Sequence, residues 1–260
     1  MLAEILDLLL PAYCLACRSR LPPAGSTLGL CARCRGRLLA VDPAASCPRC
    51  ARPLPLGARE PEPCGACRDD PPAFDRLIGL WRYRSPAVDL VHALKFRRCE
   101  FLAEAAGLHL AGAVRGRGIS VDLVVPVPLH WTRRLRRGYD QAEAIAIAVA
   151  RDLGSPMASA LRRVSATRAQ ARLPRDERRR NLARAFTTRR GVSVRGLRIL
   201  LVDDVFTTGA TSRAAARALE RGGAAAVSVA VLAVTPAGES DVDTIRECLV
   251  SDSGSPFSSS

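Results

Sequence analysis

Lysine is nearly absent from this 260-residue chain: Lys95 stands alone among 39 basic residues, the others all being arginine. Aromatic residues make up only 4%. That is poor material for capturing a row of nucleobases by stacking, so contact with nucleic acid is expected to be mostly electrostatic, weak in sequence preference and steeply salt-sensitive. No apolar run reaches the ~20 residues a membrane-spanning helix needs. The opening MLAEILDLLLPAYC carries Glu4 and Asp7 where a secretory leader carries lysine or arginine. It reads as a short amphipathic helix packed on the protein, and the chain is expected to be cytoplasmic with no membrane insertion. The glycine patterns G-x-x-x-x-G-K-[ST] and G-x-G-x-x-G are missing as well, which disfavours a Walker-type or dinucleotide site.

Cysteine, by contrast, is plentiful and ordered. Eight of the ten fall in CxxC pairs, Cys14/Cys17, Cys31/Cys34, Cys47/Cys50 and Cys64/Cys67, separated by thirteen, twelve and thirteen residues. Each pair is a knuckle that points two thiolates at one ion, and two knuckles complete a tetrahedral Cys₄ zinc site with no position left open for water. Two structural zinc ions are implied. The near-even spacing suggests tandem ribbons, with Cys14, Cys17, Cys31 and Cys34 on one metal and Cys47, Cys50, Cys64 and Cys67 on the other; interleaved pairing of the knuckles also satisfies the count. A reducing compartment argues against disulfides, and paired rather than bunched ligands argue against an iron–sulfur cluster. Residues 1–72 are rich in proline, glycine and arginine, and such a module is expected to fold only with its metal.

The run ILLVDDVFTTGAT, Ile199 to Thr211, concentrates the chemistry. Ile199 to Val202 read as a buried parallel strand, with Asp203 and Asp204 at its carboxyl end. Thr207, Thr208 and Thr211 surround Gly209 in a short turn, and a helix is expected from about Thr211 to Gly222. Free amides of the turn and the helix N-terminus stabilise an anion. Two carboxylates beside that point suit vicinal hydroxyls or a bridging magnesium ion. The ligand expected is a sugar phosphate. The run resembles the signature of type I phosphoribosyltransferases, which bind 5-phosphoribosyl-1-pyrophosphate (PRPP). That resemblance implies that Asp203 and Asp204 meet the ribose hydroxyls, that Thr207, Thr208, Gly209, Ala210 and Thr211 wrap the 5-phosphate, and that Mg²⁺ accompanies PRPP.

Two further blocks precede it. Val121 to Gly154 reads as a buried strand, a loop stiffened by Pro126 and Pro128, a basic turn, and a helix with apolar positions Ala142, Ile145, Ala146 and Val149. Ligands collect at the carboxyl ends of parallel strands, so this loop, with Pro128, Arg133 and Arg137, is expected beside the 203–211 turn. Guanidinium forks there suit a diphosphate. Leu161 to Phe186 is polar and strongly basic, which fits either a solvated helix or a mobile lid closing over a polyanion. Lys95 offers a compact point charge where arginine would present a fork; His92, three residues earlier on the same helical face, reads as a packed residue.

The order of these features resembles the ComF family, from Cys14 to about Val234. It rests on the four CxxC pairs, VHALKF at 91–96, VVPVPLH followed by R-x-x-x-R-G-Y-D-Q, then Thr167, Gln170, Arg178, Asn181 and Phe186, and the 199–211 run. Asp140 departs from the asparagine usual in that family, and residues 98–100 replace a glycine-containing turn. The resemblance implies a role in natural competence, the handling of incoming single-stranded DNA, with other competence proteins as partners. It also implies that Thr167, Gln170, Arg178 and Asn181 belong to a lid. An active phosphoribosyltransferase using a nitrogen acceptor is the alternative.

Charge fits either reading. The net charge is +14, and the stretch from Arg162 to Arg198 holds thirteen arginines against Asp176 and Glu177. The architecture expected is α/β: a double zinc-ribbon module over 1–72, a type I phosphoribosyltransferase-like domain over 73–236 with a mainly parallel sheet flanked by helices, and a polar tail over 237–260. FDRLIGLWRY, 74–83, is expected to open the domain as an antiparallel edge strand.

Overall fold

The computed structural model describes residues 11–22, 28–55, 62–96, 99–129, 139–164 and 185–235. In chain order these form α1 (Ala32–Arg35), α2 (Gly65–Asp69), β1 (Arg76–Arg82), α3 (Ala87–Phe96), α4 (Glu100–Arg115), β2 (Leu123–Pro126), α5 (Gln141–Leu153), β3 (Leu161–Arg163), β4 (Phe186–Thr188), β5 (Arg198–Phe206), α6 (Ala210–Arg221) and β6 (Ala226–Val234). The main sheet is four-stranded and wholly parallel, in the order β1-β6-β5-β2. No helix among the described residues is long and apolar enough to cross a membrane.

The central strands are apolar on both sides, as parallel strands covered on both faces are. Successive side chains point to opposite faces, and the core divides accordingly. Ile199, Leu201, Val229 and Val231 pack under α6, whereas Leu200, Val202, Ala230 and Leu232 pack under α3, α4 and α5. Helices α4 and α5 approach closely at Gly107, where an added Cβ would lie 2.5 Å from the Ala148 Cβ. Asp140 starts α5 by accepting the Ala142 and Glu143 amides, and Gly154 stops it in the left-handed conformation.

Strand β1 is an edge strand, as its sequence suggests, but it runs parallel to β6, from Arg76 opposite Ser228 to Arg82 opposite Val234. The direction is set where the chain enters. The Asp75 amide donates to the Val227 carbonyl (2.8 Å) and the Asp75 carboxylate accepts the Val227 amide (3.1 Å), so both strands start at the same end of the sheet. The antiparallel neighbour is on the other edge. Ala40, between the two cysteine clusters, bridges Trp81, with Val41 donating to Leu80 and Arg82 to Leu39. An edge that would otherwise present unpaired backbone is thereby covered.

The cysteines settle into two tandem clusters, Cys14, Cys17, Cys31 and Cys34, then Cys47, Cys50, Cys64 and Cys67, with the sulfurs of each within 4.8 Å of one another. Interleaved pairing is excluded. Tetrahedral Zn–S bonds of about 2.3 Å place sulfurs roughly 3.8 Å apart, and Cys17–Cys31 and Cys50–Cys64 stand at 3.7 and 3.6 Å. The second cluster repeats the first feature by feature. The Cys31 amide donates to Cys14 Sγ and the Cys64 amide to Cys47 Sγ. Arg18 and Ala51, each following a knuckle, take positive φ, and bridges Tyr13–Arg20 and Ser46–Pro53 close equivalent turns. Burial pushes the Cys67 thiol up to about 11 and raises Cys50 as well, so metal binding there displaces protons.

Each ribbon completes one face of the sheet. Cys14, Cys34, Leu28 and Leu30 join the core under α3 and α4; Cys47, Cys50, Ala51 and Cys67 join the one under α6. The segment 161–186, read as a helix or a lid, begins and ends in a short antiparallel arm of β3 and β4; residues 165–184, the N-terminal ten residues and the tail lie outside the described residues.

Because both clusters share cores with the sheet, Cys31→Ser and Cys64→Ser should each reduce zinc from two ions per chain to one and lower the melting temperature of the whole protein. A colorimetric zinc assay on unfolded protein, run beside thermal denaturation, checks this; loss of both ions from either substitution would contradict two independent Cys₄ sites.

Candidate phosphoribosyl site

A cleft of about 310 Å³ opens at the carboxyl ends of β5 and β2. Of the residues singled out in the sequence, Asp203, Asp204, Thr207, Thr211, Pro128 and Lys95 line it. Strand β5 runs four residues beyond Val202, to Phe206, so the two acids sit on the strand itself rather than after its end. Their side chains therefore face different surroundings. Asp204 is buried, with its Oδ2 accepting from Gln141 Nε2 (3.0 Å) and lying 3.4 Å from Lys95 Nζ. Asp203 keeps some surface in the cleft, and its Oδ1 accepts the Asp204 amide (2.9 Å). Burial, then the adjacent Asp204 carboxylate, raise Asp203 well above the usual carboxylate range.

The turn after the strand is built around Gly209, which takes φ 74° at the N-cap of α6. A Cβ there would fall 2.4 Å from Phe206 Cζ, and that ring is held edge-on by Phe74 at 6.1 Å. The first intrahelical bond runs from the Arg213 amide to the Gly209 carbonyl, which leaves the preceding amides without helical acceptors. Thr208 is exposed and its hydroxyl accepts the Ala210 amide (3.4 Å). Carboxylates, hydroxyls and helix-start amides thus converge within one turn of chain.

The Tyr139-Asp140-Gln141 run holds the surrounding parts in place. Tyr139 donates its hydroxyl to the Leu94 carbonyl, fixing the end of α3 that carries Lys95. Asp140 Oδ2 accepts the Leu129 amide (3.2 Å) while Oδ1 caps α5. Every contact asks Asp140 only to accept, which an asparagine oxygen could share in part; burial raises its pKa. Gln141, which has no role in the sequence reading although it ends the R-G-Y-D-Q motif, orients Asp204 and keeps its own Oε1 buried without a protein donor. Arg163, at the foot of the β3–β4 arm, also lines the cleft and stands 5.5 Å over the Phe186 ring. No local pattern marks it out among so many arginines. His92, read as packed, instead has an open edge and lines the cleft. Arg133, Arg137, Thr167, Gln170, Arg178 and Asn181 lie outside the described residues.

Comparison with known proteins agrees with this geometry. Residues 5–68 match the double zinc ribbon domain and residues 135–254 the phosphoribosyl transferase domain. The chain is 39% identical over 228 residues to the DNA utilization protein YhgH of Salmonella typhimurium, covering 85% of this chain and 96% of that one. It is 30% identical over 225 residues to Competence protein F of Haemophilus influenzae, covering 83% and 94%. The chain belongs to the ComF family. Competence protein ComFC of Bacillus subtilis is a more distant ComF relative, 28% identical over 210 residues, covering 76% and 81%. In this chain the stretch matching the double zinc ribbon precedes the stretch matching the phosphoribosyl transferase domain.

Two substitutions test the geometry. Gly209→Ala should cost roughly 1–2 kcal/mol from left-handed backbone and about as much again from displacing the Phe206 ring, read as a fall of several degrees in Tm. Asp203→Asn should act in the opposite direction. With its pKa raised in the fold, Asp203 keeps a proton that the unfolded chain releases, so it costs stability increasingly as pH rises from the unfolded toward the folded value. The variant should melt above wild type at pH 8, with a smaller gap at pH 5.5; a lower Tm at both would contradict this assignment.

Proposed function

We propose that the cleft binds PRPP with Mg²⁺ and that the protein acts in natural competence, in the handling of incoming single-stranded DNA. The observation that carries the PRPP reading is the juxtaposition of two adjacent carboxylates, Asp203 and Asp204, with the Thr207–Thr211 turn and the start of α6. A phosphate alone would be repelled by the acids. A ribose 5-phosphate offers hydroxyl donors to the carboxylates and an anion to the turn.

In this reading the ribose hydroxyls donate to Asp203 and Asp204, while the turn amides and the hydroxyls of Thr207, Thr208 and Thr211 hold the 5-phosphate. Lys95 and Gln141 hold Asp204 in place. Magnesium bound with the ligand neutralises the diphosphate and favours the ionised form of Asp203. Pro128 starts the loop that would bring Arg133 and Arg137 to the diphosphate, and Thr167, Gln170, Arg178 and Asn181 would close from the segment carried by the β3–β4 arm.

The DNA role is supported by the relatives named for DNA utilization and competence and by charge. The net +14 and the thirteen arginines between Arg162 and Arg198 exceed what one sugar pyrophosphate requires, and a phosphate chain would release counterions along such a stretch.

Calorimetric titration of the zinc-loaded protein with PRPP and Mg²⁺, beside Asp203→Asn/Asp204→Asn, tests the site. Wild type should bind and the double variant should lose binding at least tenfold with its zinc content intact. Equal affinity in the two proteins would remove the assignment.

A further inference from the structure

Helix α6 begins with a charge of the wrong sign. Its first turn holds no acidic residue and carries Arg213, although the positive end of a helix macrodipole disfavours a cation there. The side chain accounts for the placement. Arg213 is not among the residues lining the cleft; its Nη1 donates instead to the Asp70 carbonyl (3.1 Å) and to Asp70 Oδ2 (3.4 Å). The backbone of the same residue closes the first bond of the helix, from its amide to the Gly209 carbonyl (2.8 Å). One residue therefore ties the glycine at the centre of the Thr207–Thr211 turn to a point far earlier in the chain.

That point is the end of the second zinc ribbon. Asp70 is the C-cap of α2, the helix that carries Cys67, and its place is fixed from both sides. Behind it, the Arg68 amide donates to the Cys64 carbonyl (3.0 Å) and the Asp70 amide to the Ala66 carbonyl (3.2 Å), which ties it to the Cys64–Cys67 knuckle. Ahead of it, Pro71 and Pro72 restrict the backbone. The chain is held again at Phe74, whose ring meets Phe206 edge-on, and at Asp75, whose amide donates to the Val227 carbonyl. Phe206 is the ring against which Gly209 packs. The short run 70–75 thus supports the turn at both ends, through Phe206 before it and Arg213 after it. Cys67, Phe74, Phe206 and Ala214 share one buried core, so the two supports belong to the same packed unit.

We propose that Arg213 is a positioning residue for the Thr207–Thr211 turn: through Asp70 it holds the start of α6 against the second zinc ribbon, so that the affinity of the turn for its anion depends on a contact outside the cleft. This rests on the reading of that turn as the 5-phosphate site. The Arg213 and Asp70 side chains are 22% and 47% exposed, and an ion pair so open to water contributes little to global stability. Its effect is local, on amides that have to converge on one anion, where small displacements cost much. A direct Coulomb pull of the guanidinium on the anion makes the opposite prediction at Asp70, since removing that carboxylate would leave the cation unneutralised and strengthen binding.

The test compares zinc-loaded wild type, Arg213→Ala, Asp70→Ala and the double variant by calorimetry with PRPP and Mg²⁺, and by amide hydrogen exchange without ligand. Asp70→Ala changes a half-exposed side chain that is not a zinc ligand, so it keeps fold and both ions even where Arg213→Ala does not. Arg213→Ala should weaken PRPP binding about fivefold or more, and Asp70→Ala, which keeps the carbonyl acceptor, about two- to threefold. The double variant should be no weaker than Arg213→Ala, with zinc content unchanged and only a small fall in Tm. Exchange at the start of α6, residues 213–216, should quicken about tenfold relative to residues 217–221. Unchanged affinity in Arg213→Ala, or equal or tighter binding by Asp70→Ala, overturns the proposal, as does unchanged exchange in both single variants. If wild type itself binds no PRPP, the phosphoribosyl reading fails and exchange alone decides: faster exchange at the start of α6 in both variants retains Arg213 as the residue that holds the turn, and unchanged exchange removes it.

Discussion

The constraint on which the structure depends is that its central parallel strands are apolar on both faces. Such a sheet has to be covered twice, and the helices do this unevenly. Helices α3, α4 and α5 lie on one side, while α6 and the small β3–β4 arm lie on the other. The zinc ribbons complete the covering, one per face, and the segment between them pairs with the outer edge of β1. Metal binding and sheet burial are therefore one cooperative problem. The ribbons lend buried cysteines, Cys14 and Cys34 on one face and Cys47, Cys50 and Cys67 on the other, to the two cores of the sheet.

The same layering fixes where chemistry can occur. Strands that all run one way bring their carboxyl ends together, and the loops that follow β2 and β5 meet there. Adjacent carboxylates in such a place would repel, and the fold treats them differently. Asp204 is held by Lys95 and Gln141, whereas Asp203 is lifted toward its protonated form by burial and by its neighbour. Two adjacent carboxylates in this position suit a ligand that brings hydroxyl donors or a divalent cation. The Phe206 ring beneath Gly209 gives the turn its shape, so the Thr207–Thr211 turn is set by packing rather than by a network of side-chain hydrogen bonds.

Much of this was legible because it rests on local pattern. CxxC spacing marks the clusters, Ile199–Thr211 marks strand, acids and turn, and Ala142, Ile145, Ala146 and Val149 mark the buried face of α5, all four being buried. What was not legible depends on non-local pairing. The parallel direction of β1 follows from Asp75 meeting Val227, far along the chain. Extension of β5 through both acids follows from pairing with β6, which continues to Phe206 opposite Val234. Gln141 and Arg163 are ordinary residues in their own segments and become site residues only when α5 and the β3–β4 arm are brought to the cleft. The lysine that stood out by rarity reached the cleft, but against a carboxylate.

The most direct measurement is a crystal structure of the zinc-loaded protein grown with PRPP and Mg²⁺. The account predicts the 5-phosphate on the amides of residues 207–211 and the ribose hydroxyls on Asp203 and Asp204. PRPP bound away from that turn, or with its ribose turned from both carboxylates, would contradict it.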